Sequence, residues 1–336
     1  MIVFTVFLPK KRMLSIPDYH KAFTGELARR VVVKEPVNLY EPISYILQLG
    51  GKRLRPILTL MTAELFGSDY KKAMNAALAV EVFHNFSLVH DDIMDDAPIR
   101  RGKKTVHEKW DLNTGILSGD AMLIIAYRFF EEYEPETFKA LSKLFSKTAI
   151  EVCEGQQMDV DFEIRDNVEV DEYLKMITLK TAVLVAAAMK MGALVAKADN
   201  LDAENIYNFG LNLGIAFQLQ DDYLDAFGDP EKFGKQVGGD IIENKKTFLY
   251  LKAKKLLPEG DARQLEHLYT LKPSDPTDKI NTVLAIFEET GAAESTRKAI
   301  SQYTDRAFDI LKTLQIGEEG KKVLNNFGKS LMDRKF

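Results

Sequence analysis

From residue 18 onward, apolar residues recur at three- and four-residue steps, and the alternating β-branched pattern of strands is almost absent. This periodicity predicts an all-α chain, with helices over roughly 18–33, 38–49, 55–66, 70–96, 114–131, 136–160, 170–196, 202–227, 240–257, 277–290, 293–313 and 318–331. Breakers fall between them: Gly50-Gly51, Gly67-Ser68, Pro98 to Gly102, Pro135, Gly228-Asp229-Pro230, Gly238-Gly239 and Pro273 to Pro276. No fixed-period repeat and no low-complexity linker divides the chain. Residues 18–336 are therefore expected to form a single all-α domain, with 1–17 as a mobile tail. The polar stretch 258–276 is the best candidate for an internal boundary. Both acidic clusters described next precede it, so the last third is expected to complete the bundle.

Two of the predicted helices carry the same spelling, Asp91-Asp92-x-x-Asp95 and Asp221-Asp222-x-x-Asp225, each after a long apolar run. Positions four apart lie on one helix face, about 6 Å apart along the axis, so Asp91 pairs with Asp95 and Asp221 with Asp225. Like charges at that spacing destabilise a helix, and no Lys or Arg sits inside either cluster. Acidic residues at a helix end are usually only solvated. Here the preceding apolar runs must be buried, which places the carboxylates at the rim of a core. A divalent cation is the natural counter-charge, and Mg²⁺ typically binds through one or two carboxylates together with substrate phosphates.

Composition narrows the field. A formal charge of −5 and a pI near 5.7 argue against a general nucleic-acid-binding role. A single cysteine, Cys153, precludes an internal disulfide and fits a reducing cytoplasm; it reads as a small buried apolar residue. The opening apolar residues 1–8 are too short to span a bilayer, and their basic residues follow them instead of preceding them. The longest later apolar stretch, 181–198, is interrupted by Lys190 and Gly192, so no stable membrane insertion is expected.

Basic groups accompany the acids. Gly50-Gly51-Lys52-Arg53-Leu54-Arg55-Pro56 is a glycine-rich turn entering a helix, a geometry suited to anions, although a solvated turn is the bland alternative. Arg100-Arg101-Gly102-Lys103-Lys104 follows the first cluster closely and reads as a diphosphate clamp. Lys180-Thr181 lies inside an apolar helix, while Lys235 and Lys245 lie in the polar segment after Asp225. His84, seven residues before Asp91, shares its face, where a satisfied core histidine is the bland alternative to a diphosphate contact; His90 points about 100° from Asp91 and is taken as structural, and His107 is unassigned.

Gly51-Lys52-x-x-Arg55-Pro56, the first aspartate motif with Arg100-Arg101-Gly102, Lys180-Thr181, and Phe217-Gln218-x-Gln220 leading into the second motif together resemble the ordered motifs of the trans-isoprenyl diphosphate synthases, over about residues 18–331. The resemblance implies an isoprenoid-synthase-type helical bundle around a deep central cavity, as a homodimer, joining isopentenyl diphosphate to an allylic diphosphate. It implies that Asp91, Asp92, Asp95, Asp221 and Asp225 hold Mg²⁺, three ions with bound diphosphate, and that Asp222 belongs to the catalytic group. Arg100, Lys180, Lys235 and Lys245 would bind the allylic diphosphate, and Lys52, Arg55, His84 and Arg101 that of isopentenyl diphosphate. Thr181 and Gln218 would stabilise the allylic cation.

In that family the residues five and four positions before the first Asp close the cavity, here Phe86 and Ser87. One aromatic followed by a small residue resembles the C20 pattern, so geranylgeranyl diphosphate is the expected product, with farnesyl diphosphate (C15) as the alternative. Terpene cyclases share the first motif but need no isopentenyl site, which Lys52, Arg55 and Arg101 would supply. A non-catalytic prenyl-diphosphate-binding subunit commonly loses an aspartate motif, whereas both are intact here.

Overall fold

Helix α1 (Ile16–Arg30) starts because Ser15 accepts a hydrogen bond from the Asp18 amide, and it stays folded because Tyr19, Phe23 and Leu27 form one buried stripe. Each such side chain contributes about 1.5–3 kcal/mol when buried. The computed structural model describes residues 13–229 and 237–333. Most of the expected tail therefore lies outside the described residues, as does Lys235. Within them the chain is all-α apart from a two-stranded antiparallel hairpin, β1 (Ile99–Arg100) with β2 (Lys103–Lys104).

The chain divides into two compact units. The first comprises Met1–Phe138 with Met191–Lys197. In it, α2 (Val37–Gln48), α3 (Leu54–Leu65) and α6 (Leu112–Arg128) pack on α4 (Met74–Met94). The short helix α5 (Val106–Lys109) and the hairpin occupy the connection between α4 and α6. The middle of α4 is buried almost all round, from Ala76 to Phe83, which marks it as a core helix. Asp111 caps α6 by accepting the Thr114 amide, so this helix begins two residues earlier than its apolar pattern indicated.

The second unit comprises Lys139–Lys190 and Ala198–Phe336. Helix α7 (Pro135–Ile164) supplies most of its length to this unit. It is followed by α8 (Val170–Ile177), a π-helical turn (Thr178–Ala182) and α9 (Val183–Val195). The wide turn has a packing cause: a Cβ on Gly155 would lie 2.2 Å from the Lys180 backbone nitrogen, so only glycine lets α7 approach this close. The long α10 (Asn200–Phe227) packs on the wide turn and on α15 (Ala292–Thr313). Around them stand α11 (Gly239–Ile242), α12 (Phe248–Leu256), α13 (Glu259–Leu268), α14 (Thr277–Glu289) and α16 (Glu318–Met332). Their core holds Phe162, Tyr173, Leu219, Phe248 and Phe287.

Three expectations need correction. The helix predicted over 240–257 is broken between α11 and α12, where Asn244 adopts a left-handed φ of 60° and Thr247 starts α12. The polar stretch 258–276 contains a helix, α13, missed because Leu265 is its one buried residue and leaves no periodic signal. Cys153 is exposed on α7, not buried. The apolar segment Val170–Val195 is long and apolar enough to cross a membrane by length and composition, and 61% of its window is buried inside the protein, as for a core helix.

Candidate active site

In the first unit, a buried ion pair sets the basic loop. Arg53, 6% exposed with a left-handed φ of 48°, donates to the Glu81 carboxylate and the Leu47 carbonyl. Glu81, 2% exposed on α4, also accepts from Asn85 Nδ2 at 2.9 Å. This pair ties the turn before α3 to α4 and leaves the next arginine facing a different partner. The Arg55 guanidinium lies 3.2 Å from His84 Nε2. Since Arg only donates, Nε2 is the acceptor and His84 is neutral with its proton on Nδ1. Burial, and then the fields of Arg55, Arg101, Arg100 and Arg53, hold its pKa well below the usual histidine value.

Arg55 Nε is buried without a hydrogen-bond partner. An arginine stays protonated even here, so the orphaned N–H and the neighbouring Arg101, which donates to the Gly50 carbonyl, make a site short of negative charge. Arginine donors so placed can receive an anion through charge-assisted hydrogen bonds. Lys52 stands exposed in the same loop.

The first aspartate motif ends α4. Asp92, 1% exposed, points inward and takes Arg100 Nε at 2.7 and 2.8 Å, while Asp91 lies 3.4 Å from the same guanidinium. Burial raises the Asp92 pKa against the pull of Arg100. Asp95, the C-cap residue, is exposed, and Asp91 is partly so.

In the second unit the same spelling has different company. Asp222, 6% exposed, accepts from the Tyr173 hydroxyl through one oxygen and from Gln218 Nε2 at 3.0 Å through the other. The amide of Gln218 is thereby oriented, and its Oε1 accepts from the Thr181 hydroxyl at 3.2 Å. Lys180 Nζ lies 2.5 Å from Asp159 Oδ2 on α7. Asp225 accepts the Asp240 amide at 2.8 Å at the start of α11. Burial pushes the pKa values of Asp222 and Asp240 up, and the neighbouring carboxylates add to both. Lys245 pairs with Glu243 at 2.7 Å and lies 3.9 Å from Asp240.

The model of the polyprenyl synthetase family matches residues 36–287, which include both motifs, both basic loops and Lys180. The chain belongs to the polyprenyl synthetase family. A geranylgeranyl pyrophosphate synthase of Geoglobus acetivorans is 43% identical over 71% of this chain and 75% of its own length. A geranylfarnesyl diphosphate synthase of Natronomonas pharaonis is 34% identical over 96% and 97%. A crystal structure of a geranylgeranyl pyrophosphate synthase, 56% identical, superposes with a TM-score of 0.92 over 96% of this chain and 100% of that one. The resemblance seen in the motifs is thus correct, and the chain is a short-chain trans-isoprenyl diphosphate synthase of the polyprenyl synthetase family with its all-α fold.

Within each unit the structure gathers the residues singled out from sequence: Arg55 with His84, Arg100 with Asp91 and Asp92, and Thr181 with Gln218 and Asp222. Supporting residues escaped sequence reasoning. Glu81 and Tyr173 sit at apolar-looking core positions, and Asp159 lies one helix away from Lys180. Asp240 follows the Gly238-Gly239 breaker, which marks a turn in the sequence and carries no sign of the carboxylate's partners.

Proposed function

We propose that this synthase condenses isopentenyl diphosphate with allylic diphosphates to geranylgeranyl diphosphate, an all-trans C20 product. The orphaned Arg55 Nε beside a neutral His84 is the observation that carries it, because a second diphosphate site is what a condensing enzyme needs and a cyclase does not. Lys52, Arg55, His84 and Arg101 hold isopentenyl diphosphate. Arg55 and Arg101 supply charge, and neutral His84 supplies its Nδ1–H without adding repulsion.

The carboxylate groups fit Mg²⁺. Among the described residues, no three acidic or histidine side chains converge tightly enough to hold an ion unaided. Mg²⁺ needs no such cage, since it keeps waters and takes one or two carboxylates with substrate phosphates. Asp91 and Asp95 are the ligands proposed in the first unit and Asp221 and Asp225 those in the second, for three ions in all with bound diphosphate. Asp92 instead fixes Arg100, and Asp222 fixes Gln218. When bound, Mg²⁺ acts as a Lewis acid that neutralises charge on the departing diphosphate.

The protein's own groups do the rest. Arg100, Lys180 and Lys245, with Lys235, grip the allylic diphosphate. Asp159 holds the Lys180 ammonium in position until that substrate arrives. Gln218, its nitrogen committed to Asp222, can offer only its oxygen toward the allylic carbon, beside the Thr181 hydroxyl. Weak neutral acceptors stabilise an allylic cation without capturing it. Among the described residues no titrating side chain is assigned as the base, and released diphosphate takes the final proton.

Phe86 and Ser87, five and four residues before Asp91, set the product length by closing the space that takes the growing chain. We further propose a homodimer in the cytoplasm. Support comes from α6, where Leu117 and Ile124, 60% and 59% exposed, share one apolar face. Light scattering tests the dimer directly.

Chromatography of dephosphorylated products from C5, C10 and C15 primers tests the function. C20 is expected from every accepted primer, with diphosphate release dependent on Mg²⁺ and abolished in Asp91→Ala. A C15 product, or no condensation, overturns the reading. The geranylfarnesyl synthase among the relatives makes C25 the second reading, distinguished in the same chromatogram.

A further inference from the structure

We propose that His90 and Gly119 determine product length by locking the Phe86 ring in place. The inference rests on the reading of Phe86 as the chain-length stop and asks what keeps that stop rigid. Phe83, Phe86 and His90 fall on one stripe of α4, since steps of three and seven residues nearly close whole helical turns. Their rings touch in sequence: Phe83 and Phe86 centroids are 5.5 Å apart, and Phe86 and His90 are 4.8 Å apart in an edge-to-face arrangement. Phe86 is thus held between two rings, at 8% exposure.

Asp91 lies about 140° around the helix from Phe86, so His90 belongs to the packing against α6 and not to the metal group. His90 Nε2 lies 3.2 Å from the Ile116 carbonyl on α6 and 4.0 Å from an Asp120 carboxylate oxygen. Gly119 occupies the same face of α6, one turn after Ile116. A Cβ built there would lie 2.2 Å from His90 Nε2 and 2.6 Å from its Cδ2. The imidazole is therefore notched directly into the α6 backbone.

The notch has a cost that ordinary packing does not require. Glycine inside a helix is less favourable than alanine, and a leucine at position 90 would fill a helix interface without needing a hydrogen bond. What the pair provides is a ring that cannot swing. With His90 fixed at both its nitrogen and its edge, Phe86 cannot rotate off Phe83, and the floor under the growing chain stays closed. Truncating His90, or expelling it with a methyl group at 119, frees Phe86 to turn aside and admits one more isoprene unit.

Product ratios test this, since they do not depend on overall rate. Wild type, F86A, H90A, H90F, G119A and the F86A/H90A double variant are incubated with labelled isopentenyl diphosphate and a C15 primer, and the dephosphorylated products are resolved. H90A and G119A are each expected to raise the C25 to C20 ratio at least several-fold, H90F to stay near wild type because it restores a ring, and the double variant to match F86A. A wild-type ratio in both H90A and G119A while F86A lengthens, or additive lengthening in the double variant, overturns the lock. An F86A product no longer than C20 removes the stop itself and the lock with it, a result distinct from the other two.

Discussion

The two aspartate motifs share a spelling and differ in almost everything around it. In each, the middle aspartate is buried, Asp92 at 1% and Asp222 at 6% exposure. Asp92 faces a cation, Arg100, whereas Asp222 faces two neutral donors, Tyr173 and Gln218. The first motif ends a helix and opens onto a basic hairpin; the second lies within α10 and leads into Asp240. One arrangement fixes an arginine against two carboxylates. The other orients an amide and gathers several carboxylates at one helix end. Identical spacing therefore places the outer carboxylates alike and says nothing about what the inner one does.

That contrast can be broken most severely at Arg100. In Arg100→Met the buried Asp92 carboxylate loses its counter-charge, and denaturant unfolding is expected to show a loss of about 3–5 kcal/mol. Tyr173→Phe removes one neutral hydrogen bond from Asp222, and the loss should be only about 1–3 kcal/mol. In addition, kcat should fall while KM for isopentenyl diphosphate stays fixed, because Gln218 is loosened and the basic loop is untouched. Equal destabilisation by the two variants would erase the difference between the motifs.

Asp222→Asn should cost less again, within about 1 kcal/mol, since burial already disfavours the charged carboxylate, the Asn oxygen can still accept from Gln218 Nε2, and its amide nitrogen can donate to a turned Tyr173 hydroxyl. The smallest effect concerns pH. Burial and four arginines lower the His84 pKa in the folded protein, so the folded state binds fewer protons than the unfolded one below about pH 6.5. Stability should therefore fall as pH drops from about 6.5, and His84→Gln should flatten that slope in melting curves taken between pH 7 and 5.

Much of this was readable from residue order. Apolar periodicity located most of the helices, because long amphipathic or buried helices repeat a signal every turn. The ordered motifs identified the family because its chemistry restricts residue type and order at those positions. What escaped has physical reasons. Helix α13 buries only Leu265, and the break before α12 depends on a left-handed Asn244, a conformation with no periodic signature. The π turn at Lys180 depends on how closely Gly155 lets another helix approach. Arg53 looked like one more surface cation in a basic loop, but its partner Glu81 lies 28 residues away in the core of α4. Long-range pairs of this kind are written nowhere in local sequence.

The central claim is a division of labour: cations receive isopentenyl diphosphate, while carboxylates receive the allylic diphosphate through Mg²⁺. Calorimetric titration of the two ligands, with a non-hydrolysable allylic thiodiphosphate in place of the primer, tests it directly. Isopentenyl diphosphate should bind wild type with EDTA present and lose affinity at least tenfold in Arg55→Gln, whereas the allylic analogue should require Mg²⁺ and lose affinity in Asp91→Asn but not in Arg55→Gln. Isopentenyl diphosphate binding that needs Mg²⁺, or that survives Arg55→Gln unchanged, would contradict the account.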